Sequence, residues 1–549
     1  MICEPILAAE RVEHLTGKGL WPNRLLVDDL ERAAAEAPNK IAIVDHNSAT
    51  GQATRLTYGE LDGRSRRIAC GLSALGVEAG DIVAVQLPNW WHFAALHTAC
   101  IRIGAVINPL MPIFRERELE YMLGFAQAKV LIIAREFRGF DYPSMIAGLR
   151  AKLPKLEHVV VVNGDDESSA FESVLLARAW ESEIDADALF VERRPDPNAV
   201  TELMYTSGTT GAPKGVMHTA NTLLCKARYA TERFEMTDDD TIFMGSPLAH
   251  QTGFMYAMVL SIYRGAKCVL QDIWDATDAA RLVATERCTI TLGSTPFLAD
   301  LVNTTSVHEH DISSLRLFLC AGAPIPRVLV EQAQAKMPHM YVMSAWGMTE
   351  MGIATSTVIN DADDKTTDSD GCGFDEQKVR VVDDAGNVVP PNTEGRLQAH
   401  CATNFVGYLK RPEAYEVYDG WLETGDNARM DKDGYIRITG RSKDIIIRGG
   451  ENIPVVEVEE LLYRHPSIVD AAIVAMPDPR LGERGCAFVS LHDDTKLEFD
   501  DMVDYLLGCK LAKQYLPERL EIIDEFPRTA SGKIQKFRLR EVAQSFSSA

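Results

Sequence analysis

The sequence lacks any long hydrophobic run and any excess of basic residues. No stretch approaches the ~18 apolar residues of a membrane span, and Glu4, Glu10 and Arg11 interrupt the apolar core that a secretory signal needs. Lys and Arg number 56 against 79 Asp and Glu, a formal net charge of −23. Because nucleic acids and anionic membranes are bound through basic faces, we expect no nucleic-acid partner, no integral membrane segment and a cytoplasmic location.

Closely spaced cysteines are also absent. The 11 cysteines are scattered along the chain without the short pairs of a zinc site or a redox motif, and we interpret them as buried thiols of a reducing compartment. Neither low-complexity tracts nor internal repeats interrupt a composition that is 46% apolar and 25% charged, close to the average of globular proteins. Since single cores rarely exceed about 250 to 300 residues, the 549 residues predict at least two domains.

Short runs rich in β-branched residues alternate with longer mixed segments. Examples lie at residues 82–87, 130–133, 159–162 and 288–292. Such short buried strands between helical segments predict an α/β fold with mostly parallel sheets sandwiched by helices.

The texture changes in residues 371–430. Strand-like fragments at 378–382, 395–398 and 404–408 are joined by turn-rich segments, which predicts a β-rich subdomain. The segment Gly-Arg-Ser-Lys-Asp at 440–444 then precedes a new α/β pattern. We therefore predict an N-terminal domain of residues 1–440 and a small α+β C-terminal domain of residues 441–549, joined by a hinge.

One glycine-rich segment has the chemistry of a phosphate site. Residues 205–216 read Tyr-Thr-Ser-Gly-Thr-Thr-Gly-Ala-Pro-Lys-Gly-Val. Glycines let backbone N–H groups approach an anion, hydroxyls add donors, and the lysine adds charge. The spacing fits neither a Walker A loop nor a dinucleotide fingerprint, and a flexible surface loop is the alternative interpretation. The candidate phosphate-binding residues are Thr206, Ser207, Gly208, Thr209, Thr210, Gly211 and Lys214.

This segment resembles the phosphate loop of the adenylate-forming superfamily, which contains acyl-CoA synthetases, adenylation domains of peptide synthetases, and luciferases. Six further motifs follow in that family's order, at residues 247–250 (Pro-Leu-Ala-His), 321–324 (Ala-Gly-Ala-Pro), 346–350 (Trp-Gly-Met-Thr-Glu), 424–426 (Thr-Gly-Asp), 440–444 and 527–533 (Pro-Arg-Thr-Ala-Ser-Gly-Lys). The whole chain is most similar to bacterial short- and medium-chain fatty acyl-CoA or cyclohexanecarboxylate-CoA ligases.

The resemblance implies roles for residues around ATP. Glu350 would bind Mg²⁺ and Thr349 would bind phosphate, while Lys533 would stabilise charge between the attacking carboxylate and the α-phosphate. Asp426 would accept hydrogen bonds from the ribose hydroxyls, assisted by Arg441. The residues implied around the adenine are Gly322, Ala323, Pro324, Trp346 and Gly347.

Trp346 departs from the family, which usually has Tyr or Phe at this position. Its indole offers a larger face for stacking on adenine, so we expect the role to be retained. A second departure, Arg396 in place of the usual glutamate, lies in the β-rich subdomain, where we expect altered packing rather than lost chemistry.

Acyl and CoA sites are also implied by resemblance. Lys443 would be the hinge about which the C-terminal domain rotates after adenylation, bringing Gly449 and Gly450 to the CoA channel. His250 either shapes the acyl pocket or is a structural histidine. The residues implied around the acyl group are His250, Gln251, Gly253, Phe254 and Ala345.

The leading hypothesis is an ATP-dependent carboxylic acid:CoA ligase that uses ATP and CoA as co-substrates and Mg²⁺ as cofactor. The acid is expected to be apolar, short to medium in chain length or alicyclic, with an aromatic acid left open. One alternative is an adenylation enzyme that loads a carrier protein; no carrier domain and no acidic residue near 247–250 for a substrate ammonium are evident. The other alternative is a non-catalytic nucleotide-binding regulator, which would have little reason to retain groups aimed at transition-state charge.

Overall fold

The computed structural model describes residues 2–206, 213–322, 325–359, 361, 363–441, 446–448, 451–529 and 532–546. No helix in these ranges is long and apolar enough to cross a membrane. Four sheets carry the fold: two large, mostly parallel sheets, an antiparallel sheet and a C-terminal mixed sheet. The predicted α/β fold with a β-rich subdomain and a small C-terminal α+β part is confirmed.

The largest sheet has eight strands and supplies most of the candidate site. Its interior pairs are parallel and its two edge pairs antiparallel. Interior strands are almost wholly buried, as expected for a parallel sheet covered on both faces. In spatial order the strands are Gly352–Ser356, Tyr341–Met348, Leu317–Ala321, Ile290–Gly293, Thr241–Met244, Lys267–Gln271, Ile41–Asn47 and Gln52–Thr57.

A second sheet of six strands is parallel except for its edge pair. One continuous apolar core includes residues of this sheet, of the eight-stranded sheet and of the helices packed with them. In spatial order the strands are Lys214–Thr219, Val200–Thr206, Val106–Pro109, Ile82–Gln86, Val130–Ala134 and His158–Val162.

Helices of the N-terminal part connect and cover these strands. Tyr58–Ala74 begins at a capping box in which Thr57 and Glu60 bond each other's backbone N–H, and Ala220–Arg233 begins with a Thr219 cap. The remaining α-helices here are Ala9–Gly17, Leu26–Glu36, His92–Arg102, Glu116–Ala126, Tyr142–Leu149, Ala186–Glu192, Gln251–Gly253, Leu260–Arg264, Ala276–Glu286, Thr295–Asn303, Arg327–Lys336 and Asp363–Asp368.

Short irregular elements complete this part of the chain. The segments Glu172–Ala177 and Phe254–Val259 are π-helical, and Glu136–Phe137 pairs with Phe140–Asp141 in a two-stranded ribbon. The 3₁₀ turns are Arg150–Lys152, Trp180–Ser182, Thr305–Val307 and Pro412–Ala414, with Lys513–Tyr515 in the C-terminal part.

The β-rich subdomain is a five-stranded antiparallel sheet with its own apolar core. Arg396 lies in this sheet, where it pairs with Glu423 and donates to the Asp383 carbonyl at 3.0 Å. The strands are Gln377–Val382, Gly395–Cys401, Trp421–Met430, Val417–Tyr418 and Ile436–Arg441.

The prediction that residues 404–408 form a strand of this subdomain is wrong. The segment lies instead beside Lys214–Thr219, where Val406 N donates to Met217 O at 3.0 Å and Leu409 N donates to Gly215 O at 2.8 Å. Phe405 packs into the subdomain core, whereas Val406 and Leu409 pack into the core of the large sheets. Alternating apolar side chains therefore satisfy two cores at once, and the segment pairs with the edge of the six-stranded sheet through an isolated antiparallel bridge between Val216 and Tyr408 rather than with the β-rich subdomain.

The C-terminal part folds around a second mixed sheet. Its strands are Glu451–Ile453, Ile446–Arg448, Gly482–Leu491, Ile468–Asp478 and Arg519–Ile522, and only the last pairs in parallel. Its helices are Val455–Tyr463, Phe499–Gly508 and Lys536–Gln544. Two apolar clusters separate from those of the N-terminal part lie on this sheet. The predicted hinge residue Lys443 lies outside the described residues.

Candidate active site

Three of the predicted motifs lie at or after the ends of strands of the eight-stranded sheet, two of these strands being adjacent and the third separated from them by one strand. Strand Leu317–Ala321 leads into Gly322, Tyr341–Met348 carries Trp346 and leads into Glu350, and Thr241–Met244 precedes His250. All three strands belong to the parallel part of the sheet, so their carboxyl ends meet at one edge. Ligands of open parallel sheets bind at this edge.

Asp426 connects the large sheet to the β-rich subdomain. Its Oδ2 accepts a hydrogen bond from Trp346 Nε1 at 2.9 Å, and its Oδ1 accepts one from Arg441 Nε at 3.2 Å. Trp346 and Asp426 are both buried, whereas Arg441 is exposed. The structure thus brings together three of the residues predicted at the adenine and ribose: Trp346, Asp426 and Arg441.

Glu350 lies buried at the end of the turn that follows Trp346. Tyr408 donates its hydroxyl hydrogen to Glu350 Oε1 at 2.8 Å. Burial raises the pKa of the Glu350 carboxyl, and the bond from Tyr408 opposes that shift. Lys214 Nζ lies 4.7 Å from the centre of the Tyr408 ring, a cation–π contact. The predicted phosphate-loop lysine and the predicted magnesium ligand therefore share one tyrosine.

Thr349 is held through its backbone rather than its side chain. A ring nitrogen of His218, Nε2, lies 2.9 Å from the Thr349 carbonyl oxygen. His218 belongs to strand Lys214–Thr219, so the strand that leaves the phosphate loop also supports the turn that carries Thr349 and Glu350.

Lys533 comes from the C-terminal part, and its side chain lies beside Gly322 of the predicted adenine motif. A Cβ built on Gly322 would lie 3.1 Å from Lys533 Cε and 3.5 Å from its Nζ. Gly322 has φ +88°, so a side chain at this position would be strained as well as crowded. Desolvation and the Arg441 charge lower the pKa of Lys533 to about 8, and the Asp426 and Glu350 charges oppose this shift.

The backbone that presents Lys533 is a tight loop. Lys533 N donates to Thr529 Oγ1 at 3.1 Å, and Thr529 N donates to the Lys533 carbonyl at 2.7 Å. Arg528 donates to the Gly532 carbonyl at 2.8 Å and pairs with Asp470. Gly532, at φ +82°, would carry a Cβ only 3.0 Å from Ser294 Oγ. This loop is closely apposed to the N-terminal part.

Four of the five residues predicted around the acyl group lie along the segment that follows strand Thr241–Met244, and the fifth, Ala345, lies in strand Tyr341–Met348. His250 Nδ1 accepts a hydrogen bond from Thr252 N at 3.2 Å, and desolvation lowers the pKa of His250 to about 3, so the ring is neutral. Gly253 allows close packing, since a Cβ there would lie 2.3 Å from the Pro247 carbonyl oxygen. Phe254 is fully buried against His97, and Ala345 is buried in its strand.

Several predicted residues lie outside the described part of the chain: Ser207, Gly208, Thr209, Thr210 and Gly211 of the phosphate loop, Ala323 and Pro324 beside the adenine, Lys443, and Gly449 and Gly450 of the CoA channel. Their flanks are described. Thr206 ends strand Val200–Thr206 and pairs in register with Lys214 of the next strand. The phosphate loop therefore connects two antiparallel neighbours.

No sequence pattern indicates several polar residues that the structure places beside the motifs. Tyr408 follows an apolar run, and Glu202, His218 and Lys226 occur singly in segments of ordinary composition. Only the pairing of Val200–Thr206 with Lys214–Thr219, which sets Glu202 opposite His218, brings them together. The one hint in the sequence is Glu202, a charged residue next to the apolar pair Leu203 and Met204.

The donor set suits magnesium bound together with nucleotide. No group of three or more His, Cys, Asp and Glu side chains that could hold a metal ion by itself occurs among the residues described. Mg²⁺ in ATP-dependent enzymes is commonly held by one or two carboxylates together with phosphate oxygens and water. Glu350 supplies one buried carboxylate near Lys214, so the residues present fit such an ion.

Comparison with known proteins agrees with this site. Residues 30–409 match the family model "AMP-binding enzyme", and residues 457–533 match "AMP-binding enzyme C-terminal domain". The chain belongs to the AMP-binding enzymes, the adenylate-forming superfamily, and it is an acid-thiol ligase of the AMP-forming kind. The predictions of superfamily and enzyme class are confirmed.

Individual relatives cover nearly the whole chain. It is 38% identical over 530 residues to the medium-chain fatty-acid–CoA ligase of Escherichia coli K12, an alignment covering 95% of this chain and 91% of that protein. The 2,3-dihydroxybenzoate-AMP ligase of Bacillus subtilis is 31% identical over 540 residues, covering 97% and 96%. Among solved structures, an anthranilate CoA ligase in complex with anthranoyl-AMP has TM-score 0.83 at 25% identity, covering 95% and 97%.

Proposed function

We propose that this protein joins an apolar carboxylic acid of short or medium chain length, or an alicyclic one, to CoA through an acyl-adenylate. The observation that carries the proposal is the position of Lys533 against Gly322, where its charge interacts with those of Asp426 and Glu350. A lysine from the C-terminal part in the middle of the nucleotide motifs has no evident role in a protein that only binds nucleotide.

In the first half-reaction, a carboxylate oxygen of the acid attacks the α-phosphorus of ATP, and the bond from that phosphorus to pyrophosphate breaks. The residues 206–211 and Lys214 would hold the departing phosphates by backbone N–H groups, hydroxyls and charge. Asp426 and Arg441 would orient the ribose. The Lys533 ammonium would lie between the two anions and offset their repulsion in the transition state.

Magnesium held by Glu350 would neutralise charge on the phosphate oxygens. Tyr408 keeps the Glu350 carboxylate oriented by donating to one of its oxygens. Thr349 would bind phosphate by donating its hydroxyl hydrogen, while its carbonyl oxygen contacts His218.

In the second half-reaction, the sulfur of CoA attacks the acyl carbonyl carbon, AMP leaves with the bridging oxygen, and the thiol proton is lost to solvent. Rotation of the C-terminal part about Lys443 would withdraw Lys533 and bring Gly449 and Gly450 beside the incoming pantetheine arm. Conformational changes of this kind are rate-limiting in many enzymes.

The name of the E. coli relative and the apolar Phe254 and Ala345 support an apolar acid. The test is release of pyrophosphate with a panel of acetate, hexanoate, octanoate, cyclohexanecarboxylate and benzoate, with and without CoA. We expect the highest kcat/KM with hexanoate, octanoate or cyclohexanecarboxylate, and AMP and acyl-CoA as products. Absence of acid-dependent turnover would refute the proposal, and turnover only with a carrier protein would favour an adenylation enzyme.

A further inference from the structure

A group of buried polar side chains lies under the turn that carries Thr349 and Glu350, and its charged members have no role in the proposed reaction. Its members come from four elements: strand Val200–Thr206, strand Lys214–Thr219, and the two helices that start after residues 219 and 250. They are Glu202, His218, Lys226 and Gln251, and each is at most 4% exposed. We call these four residues the buried polar cluster.

The cluster is internally connected. Lys226 Nζ lies 2.9 Å from His218 Nε2 and 3.3 Å from its Nδ1. The Gln251 amide satisfies both charged members when its nitrogen donates to Glu202 Oε1 at 2.9 Å and its oxygen accepts from Lys226 Nζ at 3.1 Å. Glu202 and His218 are direct partners across two antiparallel strands. Each residue thus contacts another from a different segment.

Burying the charged members of this cluster costs desolvation free energy. Desolvation raises the pKa of Glu202 and lowers the pKa of Lys226, each to about 7, and their mutual attraction opposes both shifts. Buried ion pairs are often matched or exceeded in stability by apolar side chains of the same volume. Packing stability alone therefore does not account for a glutamate and a lysine at these positions.

On one side the cluster contacts the nucleotide motif. His218 Nε2 is 2.9 Å from the Thr349 carbonyl oxygen. A Cβ on Gly352 would lie 3.1 Å from Lys226 Cδ and 2.6 Å from the Tyr256 hydroxyl, and that hydroxyl accepts a hydrogen bond from Ile353 N at 2.7 Å. Both ends of the turn around Glu350 are therefore held by the cluster and its neighbour Tyr256.

On the other side the cluster contacts the segment assigned to the acyl group. Gln251 directly follows His250, and its amide is directed at Glu202 and Lys226. A displacement of Lys226 would remove one contact from the Gln251 amide and one from the His218 ring. It is the one member in contact with both neighbouring segments.

We propose that Lys226 is a positioning residue that couples the acyl segment at His250–Gln251 to the Thr349–Glu350 turn, so that acid binding and adenylation depend on it. The inference rests on the proposed function. It makes Lys226 a determinant of the acid KM that contacts neither the nucleotide nor the acid. The coupling passes through two contacts, Lys226 to Gln251 and Lys226 to His218.

The test separates positioning from stability by neutralising the pair in two steps. Lys226→Met keeps the length of the side chain but leaves Glu202 unpaired, whereas Lys226→Met with Glu202→Gln removes both charges. Urea unfolding and acid-dependent pyrophosphate release are measured on both. We expect the double variant to recover the unfolding free energy lost by the single variant, while its kcat/KM for the acid stays about tenfold or more below wild type, with a raised acid KM.

Arg102 provides the matched control. It is a buried cation, 3% exposed, that pairs with Glu31 and Asp62, and none of its described contacts is with the candidate site. Arg102→Met should lower stability and leave the acid KM unchanged. Recovery of kcat/KM together with stability in the double variant, or an equal acid KM in the Lys226 and Arg102 variants, would overturn the positioning role.

Two outcomes keep this inference distinct from the proposed function. If wild-type protein releases no pyrophosphate with any acid, the function itself fails. If wild-type protein turns over and the double variant matches it, only the role of Lys226 fails. Should Lys226→Met not yield folded protein, the comparison of the double variant with wild type and Arg102→Met still decides.

Discussion

Single side chains in this site are oriented by partners far away in sequence. Tyr408 holds Glu350 from 58 residues away, and Trp346 and Arg441 hold the two oxygens of Asp426. Trp346 thereby has a function that neither Tyr nor Phe could perform in the same way, since its indole N–H is the donor. The departure from the family at this position is matched by a specific hydrogen bond.

Replacement of Tyr408 by Phe tests the support of Glu350. The ring under Lys214 is kept, but the hydroxyl that donates to the buried carboxylate is lost. Because hydrogen bonds to charged groups contribute about 1.5 to 3 kcal/mol, we expect a loss of that size in the unfolding free energy measured with urea. We also expect a higher Mg²⁺ concentration for half-maximal adenylation.

Tyr415→Phe is the control for this change. Its hydroxyl lies 3.4 Å from the Phe405 carbonyl and interacts with the Arg11 side chain, so this variant also loses a hydroxyl but keeps the hydrogen bond from Tyr408 to Glu350. An equal loss of stability and an equal change of Mg²⁺ dependence in both variants would contradict the assignment to Glu350.

Lys533 is predicted to act as a charge in adenylation and to be dispensable afterwards. Lys533→Ala should reduce pyrophosphate release by about 100-fold or more, the size of effect seen when a group that stabilises transition-state charge is removed. Thioester formation from supplied acyl-adenylate should continue. Equal loss of both half-reactions, measured in single turnovers, would refute this division.

The pH dependence of adenylation follows from the same lysine. Its pKa is lowered from 10.5 to about 8, so the ammonium is present below that pH and is lost as the pH rises through it. We expect kcat/KM for pyrophosphate release, which reports the free enzyme, to fall above pH about 8. The arginine of Lys533→Arg stays charged throughout this range, so the residual activity of this variant should show no alkaline fall. If the variant shows the same fall as wild type, Lys533 is not the cause of the fall.

At the scale of elements, one antiparallel hairpin sets the geometry of the site. Strands Tyr341–Met348 and Gly352–Ser356 pair at the edge of the large sheet, and the turn between them carries Thr349 and Glu350. Gly347 and Gly352 make this turn possible, because a Cβ on Gly347 would lie 2.1 Å from the Gly352 carbonyl oxygen. Tyr256 and Lys226 then pack directly on Gly352.

Gly352→Ala should disturb this hairpin. Gly352 has φ +71°, and a Cβ there would lie 2.6 Å from the Tyr256 hydroxyl. Left-handed backbone costs a residue with a Cβ about 1 to 2 kcal/mol, and the clash adds to this. We expect a larger loss of unfolding free energy than in Gly434→Ala, and a fall in adenylation kcat.

Gly434 is a suitable control because its φ is similar, +86°, and nothing lies within 4 Å of the position of its Cβ. The difference between the two variants isolates the contact with Tyr256. Equal stability and equal kcat in both would show that the hairpin tolerates this crowding.

At the scale of the molecule, the C-terminal part contacts the N-terminal part at the candidate active site. Lys533 lies against Gly322, Gly532 lies against Ser294 and Pro296, and Arg437 pairs with Glu460 across the two parts. The proposed thioester step requires these contacts to break. Locking them should therefore separate the half-reactions.

A disulfide between Ser294→Cys and Gly532→Cys provides the lock. Ser294 Oγ lies 3.0 Å from the position of a Cβ on Gly532, and the sulfur and the opposite Cβ of a disulfide are also separated by about 3 Å. We expect the oxidised protein to retain a single turnover of pyrophosphate release and to lose acyl-CoA formation. Reductant should restore acyl-CoA formation.

Each single cysteine variant serves as a control, and Gly532→Cys also measures the strain of a side chain at φ +82°. Undiminished acyl-CoA formation in protein shown to be fully cross-linked would mean that the C-terminal part need not leave this position.

The sequence by itself determined the fold class and the superfamily, and it predicted the residues of the nucleotide site, because the motifs that carry them are contiguous. Gly322, Glu350, Asp426 and Lys533 were all predicted from such motifs, and the structure brings the described ones to one edge of the large sheet. The roles assigned to them stay predictions until the variants above are measured.

Only the tertiary structure decided which side chains support these residues. Tyr408 meets Glu350, and Lys226 meets His218 and Gln251, through the pairing of strands and the packing of helices between distant segments. Residues 404–408 carry the pattern of a strand, yet their apolar side chains are shared between two cores. Local periodicity reports that a side chain is buried; the partner it is buried against depends on long-range packing, which a local pattern does not contain.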